Sequence, residues 1–176
     1  MATFGKTTNG TSSTASSADR KKVSSASPAT GGTLTKLTGR FWLSAAGTGD
    51  AKGVVYADNA GAPGALLATG DAVPFTHTTE QAVDLPFSGV NQITLVAGTT
   101  YWIGWHHKDP GTPSNTISRD ATAGASQTNL DTYSDGPTNP FGTPTAEAGP
   151  IDCYGTYTES GGTAIPNIPT LLLMGV

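Results

Sequence analysis

The sequence predicts an all-β protein, an antiparallel jelly-roll β-sandwich with an extended N-terminal arm and an apolar C-terminal tail. Three observations predict it. Thr (29), Gly (23), Ser (14) and Pro (12) together make up 78 of 176 residues, while only 12% are charged. That composition suits strands and turns and is far from the Ala/Glu/Lys/Leu/Arg usage of helical bundles and coiled coils. Large apolar residues come in short runs, with turn-forming clusters roughly every 8 to 15 residues. No segment keeps a helical 3.6-residue apolar period. The length is that of one ordinary domain.

The elements follow in order. Residues 1–30 are Ser/Thr/Gly/Ala-rich, with Phe4 and Val23 their only large aliphatic or aromatic side chains apart from Met1. Such a segment buries too little to offset its ordering entropy, so it is expected to be a mobile arm or a strap ordered by a partner. Residues 31–159 form the expected sandwich. Leu34, Leu37, Phe41, Trp42 and Leu43 lie among threonines, a strand composition, ended at Gly47-Thr-Gly49-Asp50. Residues 52–57 form the next strand, and 58–64 are dense in turn formers. Leu66 and Leu67 open another short run, stopped at Gly70. Residues 73–75, 81–87 and the neighbourhood of Ile93 and Leu95 read as further short strands.

Residues 100–107 give the strongest signal. Alternation places Tyr101, Ile103, Trp105 and His107 on one face, and Trp102, Gly104 and His106 on the other. Weaker strands are expected near Ile117 and over 130–133, then a long turn-rich connection over 134–144. Residues 151–158 form the last strand, with Ile151, Cys153, Gly155 and Tyr157 facing one way and Tyr154 the other. The total is eight to ten strands. Residues 160–176 form the tail, where Ile165, Ile168, Leu171, Leu172, Leu173 and Met174 are costly to leave in water. They tuck into the core or dock on another chain.

Charge and motifs exclude several function classes. Nine Lys+Arg against thirteen Asp+Glu leave a mildly acidic chain, whose one basic run is Arg20-Lys21-Lys22. A nucleic-acid partner calls for a basic excess, so none is expected. No stretch nears the roughly 20 apolar residues of a membrane helix, and no membrane partner is expected. The first residues lack the apolar centre of a secretory signal, so synthesis in the cytoplasm is expected. No Gly-x-Ser-x-Gly, His-Glu-x-x-His or phosphate loop occurs. The single cysteine, Cys153, sits in a strand pattern and reads as a small buried hydrophobe. His106 and His107 point to opposite faces and cannot share a metal without a bulge. Asp50, Asp58, Asp71, Asp109, Asp131 and Asp135 lie near turns, which aspartate forms on its own, without the regular spacing of a calcium loop. No cofactor or metal is expected. Trp102 and Trp105 face opposite ways, so at most one belongs to the core. The other requires a covering loop, a partner subunit or a sugar ring to stack on.

Several segments resemble uncharacterised structural proteins of tailed-phage virions. They are the opening Met-Ala-Thr-Phe-Gly-Lys-Thr, Gly32-Thr-Leu-Thr-Lys-Leu-Thr-Gly39, Lys52-Gly-Val-Val-Tyr-Ala-Asp58, Gly61-Ala-Pro-Gly-Ala-Leu-Leu-Ala68, Leu95-Val-Ala-Gly-Thr-Thr-Tyr-Trp-Ile-Gly104 and Asp131-Thr-Tyr-Ser-Asp-Gly-Pro137. The resemblance covers roughly residues 30–158. It implies a jelly roll related in shape to carbohydrate-binding modules, and it brings no catalytic residues. It implies a virion protein, and the one-sandwich length, polar arm, apolar tail, low charge and lack of a catalytic signature add the expectation that it is not an enzyme but decorates or cements the head. Its partners would be the major capsid protein or other virion subunits, and copies of itself, a trimer among the arrangements. Phe4, Ile165, Ile168, Leu171, Leu172, Leu173 and Met174 are the expected partner interface. The alternative is a tail- or fibre-associated module that binds host glycans through Trp102, Trp105 and His106.

Overall fold

Threonine-rich segments punctuated by glycine and proline become thirteen strands in the computed structural model, which describes residues 1–16, 18–121 and 123–160. In chain order they are β1 (Ala2–Gly5), β2 (Ser12–Ser16), β3 (Arg20–Ala26), β4 (Gly32–Leu43), β5 (Gly49–Asn59), β6 (Ala62–Phe75), β7 (Gln81–Pro86), β8 (Thr94–Leu95), β9 (Tyr101–His107), β10 (Asn115–Arg119), β11 (Ala123–Leu130), β12 (Thr145–Ala148) and β13 (Cys153–Glu159). Two short 3-10 turns, Gly89–Asn91 and Tyr133–Asp135, complete the described secondary structure.

Two antiparallel sheets form a sandwich. One is organised around β4, with β13, β10, β7 and β8 paired to it, β1 beyond β13 and β2 beyond β10. The other runs β12-β11-β3-β9-β5-β6. Alternation along β9 sets the layers, as the sequence implies. Tyr101, Ile103 and Trp105 enter the core between the sheets, where they meet Leu34, Leu37 and Phe41 of β4, Val55 of β5, and Cys153 and Tyr157 of β13. The rings of Phe41 and Trp105 lie 5.3 Å apart, and those of Phe41 and Phe75 lie 4.8 Å apart, edge to face. Such pairs add about 1 kcal/mol each beyond the apolar area they bury. Trp102 instead joins a second cluster on the far side of its sheet, with Val23, Val54, Tyr56 and Phe141.

The N-terminal segment departs from the expected arm. Residues 2–26 supply three strands, and β3 is central in its sheet, bonded to β9 on one side and β11 on the other. Composition misleads here because β3 gains little from its own side chains. Its neighbours contribute the apolar area, and the backbone ladder satisfies its amides on both edges. Phe4 likewise lies in the chain's own core, 5% exposed, with its ring 5.8 Å from that of Tyr157. It is therefore not part of a partner surface. The tail residues Ile165, Ile168, Leu171, Leu172, Leu173 and Met174 lie outside the described residues.

Two local details correct the element boundaries. The run at Leu66 and Leu67 does not stop at Gly70, because β6 passes through it while register shifts in the β5–β6 pairing absorb the irregularity. The hairpin between β5 and β6 closes on two residues, Ala60 and Gly61, both at positive φ (53° and 85°). This is the turn whose twist matches paired strands.

Among the described glycines, Gly104 of β9 has the least room for a side chain, because β3 lies against it. A Cβ on Gly104 would lie 1.9 Å from the Lys22 carbonyl oxygen. Gly104→Ala is therefore expected to lower unfolding free energy by about 3 kcal/mol, the upper end for overpacking. Chemical denaturation measures this, and a loss below about 0.5 kcal/mol would contradict the packing of β3 on β9.

Candidate functional site

Register places consecutive side chains of β3 on opposite faces. Lys22 lies beside Trp105, between the sheets, and Lys21 lies beside His106, on the outer face. Both lysines are fully buried (0% and 1% exposed). A buried ammonium is tolerated only with a counter-ion and complete hydrogen bonding. Lys22 finds Glu147 of β12, which also accepts Arg20 at 3.5 Å. Lys21 finds Asp131 at 2.9 Å and donates to the Phe141 carbonyl at 2.8 Å and to the Thr138 hydroxyl. Its ammonium also lies 4.7 Å from the centre of the Phe141 ring. Burial pulls both lysines below their usual basicity, and the hydrogen bond and charge of the paired carboxylate oppose that shift.

Asp131, Thr138 and Phe141 all belong to the connection between β11 and β12. Lys21 thus fixes this loop across the outer face of the sheet. Further bonds spread the attachment. The Phe141 amide donates to Gly64 O at 2.9 Å, and the Leu66 amide to Asn139 Oδ1 at 3.0 Å. The Tyr56 hydroxyl donates to Thr138 O at 3.1 Å. The Tyr133 amide donates to Asp19 at 2.7 Å and its hydroxyl to Asp50 at 3.0 Å, while Lys52 sits 4.3 Å from the centre of its ring. Burial and the Asp50 charge push the Tyr133 hydroxyl to a higher pKa. Residues 131–144 form a plate laid on the sheet, and the plate, not the sheet, meets solvent there.

The plate decides the fate of the expected glycan face. Trp102 is 2% exposed beneath it, and its indole N–H donates to Asp58 at 2.8 Å. Trp105 is 1% exposed in the central core. His106 has no exposed surface, and its Nε2–H donates to the Asp131 carbonyl at 3.0 Å. The three side chains form no exposed stacking platform. Loop cover is what Trp102 has on the outer face.

Cys153 is buried, and burial, followed by the Asp152 charge, drives its thiol up. The turn aspartates act as acceptors: Asp58 for the Gly61 amide, Asp71 for Ser88, and Asp109 for the Gly111 amide. Among the described residues no three His, Cys, Asp or Glu side chains gather as metal ligands. No described helix is long and apolar enough to cross a membrane. Comparison with family models, curated proteins and solved structures yields no match.

Sequence reasoning missed Lys21 and Lys22 as organising residues, reading them as a short basic run in the N-terminal arm. The available signal was their place in an alternating Arg20/Lys22/Ser24 and Lys21/Val23 pattern, the period of a strand.

Two predictions follow from the buried charges. Asp131→Asn, which keeps the shape but removes the counter-ion of Lys21, is expected to cost about 3 kcal/mol of stability. The exposed pair Lys36–Asp84, at 2.6 Å, is expected to cost under about 1 kcal/mol when broken by Lys36→Met. Equal losses in denaturant titrations would contradict the loop staple.

The histidines give a pH dependence. Burial, then the charges of Lys22, His106 and Arg20, hold His107 down to about 3, against 6.5 for a free histidine. Burial also lowers His106. The unfolded chain therefore binds protons that the folded chain refuses. Stability is full above pH 6.5 and falls as the pH drops from there toward 3. The slope from His107 reaches about 1.4 kcal/mol per pH unit, and His106 acts in the same direction. Urea midpoints between pH 7.5 and 5 measure it. A flat profile over that window would show that the histidines are solvated.

Proposed function

We infer that this chain is a structural protein of a phage virion, one that decorates or cements the assembled head. What carries the reading is where the chemically capable side chains lie. Cys153, His106, His107, Lys21, Lys22, Trp102 and Trp105 are all buried and committed to holding the sandwich and its loop plate. The surface available for function is thus a stiff, low-charge scaffold of threonine-rich strands and pinned loops, suited to passive packing against other subunits. The resemblance of residues 30–158 to tailed-phage structural proteins supplies the setting.

The finer architecture in this reading is a jelly roll. Its support is that the chain keeps crossing between sheets. Strands β1, β2, β4, β7, β8, β10 and β13 belong to one sheet, with β3, β5, β6, β9, β11 and β12 interleaved in the other. Among the described strands only β5–β6 and β11–β12 pair as sequence neighbours.

A decoration protein that binds only the assembled lattice stabilises it by mass action. The partners are then the major capsid protein and neighbouring copies of this chain. Its surface contribution would be backbone edges and polar contacts spread over a broad interface. Immunogold labelling of intact particles with antibody against the folded domain tests this. Gold over the head is the expected result. Gold confined to the tail tip would replace this reading with a fibre-associated one, and unlabelled particles would end the virion assignment.

A further inference from the structure

The strand-edge end of β1 carries a group of side chains that neither the fold nor the proposed function uses fully. Lys6 follows β1 directly, and its amide donates to Cys153 O at 2.9 Å, prolonging the β1–β13 ladder by one step. Its side-chain nitrogen meets two carboxylates: Asp152 Oδ1 at 3.1 Å and Asp120 Oδ1 at 3.2 Å. The backbone sets both aspartates. Arg119 and Ile151 form a bridge, the Asp152 amide donates to Ser118 O at 3.0 Å, and the Asp120 amide donates to Pro150 O at 3.1 Å. The second oxygen of Asp152, Oδ2, accepts the Gly10 amide. Gly10 can approach because it has no Cβ, which would stand 2.2 Å from Arg119 O.

The burials differ in a telling way. The Asp152 side chain is 1% exposed, that of Lys6 14%, and that of Asp120 32%. A single ammonium facing two carboxylates leaves one negative charge over, and the charge most costly to keep is the buried Asp152. Asp152 Oδ1 has no hydrogen-bond donor of good geometry among the described residues, only the Lys6 nitrogen beside it. An amine held against a buried carboxyl, with a second carboxylate beside the same nitrogen, is the arrangement that amide formation requires.

We propose that Lys6 and Asp152 condense to an intramolecular isopeptide bond, with Asp120 as the acid–base catalyst. Asp120 takes a proton from the Lys6 ammonium and hands it to Asp152 Oδ1, and the freed amine attacks Cγ of the neutral carboxyl group. The Gly10 N–H stabilises the charge that develops on Oδ2, which remains as the amide oxygen. The nitrogen then loses a second proton, which Asp120 carries to Oδ1, and Oδ1 leaves as water. The new bond is Nζ–Cγ and the broken one is Cγ–Oδ1. One positive and one negative charge vanish together, no electrons are exchanged and no co-reactant is needed. The pocket of about 330 Å³ lined in part by Lys6, Asp120 and Cys153 gives the water a way out. The product ties the residue that follows β1 to the residue that precedes β13.

Intact-mass spectrometry of the full purified chain, denatured after a period in the folded state, tests the proposal. The expected mass is one water below the sequence mass, allowing for the initiator methionine. A proteolytic map is expected to show the Lys6 and Asp152 peptides joined. Lys6→Arg, which keeps the ion pair, and Asp120→Ala are each expected to retain their full sequence mass, with folding checked by circular dichroism. A folded wild-type chain at its full sequence mass overturns the proposal, whatever the variants do. So does a water loss that maps away from residues 6 and 152. Condensation that persists undiminished in Asp120→Ala overturns the assigned role of Asp120.

Discussion

Two adjacent lysines must be buried on opposite faces of one central strand, and most of the architecture answers to that requirement. Strand β3 cannot occupy its place between β9 and β11 unless Lys21 and Lys22 each meet a carboxylate. On the inner face the solution is Glu147 from the edge strand β12. On the outer face it is Asp131 from the connection that leads to that same strand. The two ion pairs therefore fix one segment, residues 131–148, from both sides of the sheet. The arrangement specifies register as well as stability. A slip of one residue would exchange the faces of the two lysines and leave both without partners.

The outer pair has the wider consequence. A sheet face bearing Tyr56, Val54 and Trp102 would present an apolar aromatic patch to solvent. With the loop drawn down by Lys21, Phe141 closes over these residues at 5.0 Å from the Tyr56 ring and makes a second small core. The protein thereby gains a third layer on part of one sheet, and the aromatic residues serve cohesion. Burial leaves those rings no free face on which a ligand could stack.

The sequence made the β class, the alternation of β9 and the facing of residues 151–157 readable, because each shows the period-2 apolar pattern in strands that border a core. The loop over residues 134–144 was readable from its prolines and glycines. Strand β3 was not. Its pattern carries one valine, and its remaining positions are Arg, Lys, Ser and Ala. Local composition reports what a segment buries of its own, whereas β3 is held by the ladders and ion pairs of distant segments. The candidate cluster at Lys6 was hidden for the same reason: Asp120 and Asp152 approach it only through the β10–β13 neighbourhood, more than a hundred residues along the chain.

Amide hydrogen exchange in residues 20–26, read peptide by peptide on the folded full-length chain, tests this account most directly. A strand bonded on both edges in the middle of a sheet exchanges through global unfolding. The account predicts that these amides exchange as slowly as those of residues 101–107 in β9. Exchange at the rate of an unfolded peptide, with β9 still protected, would mean that the N-terminal segment is a mobile arm after all.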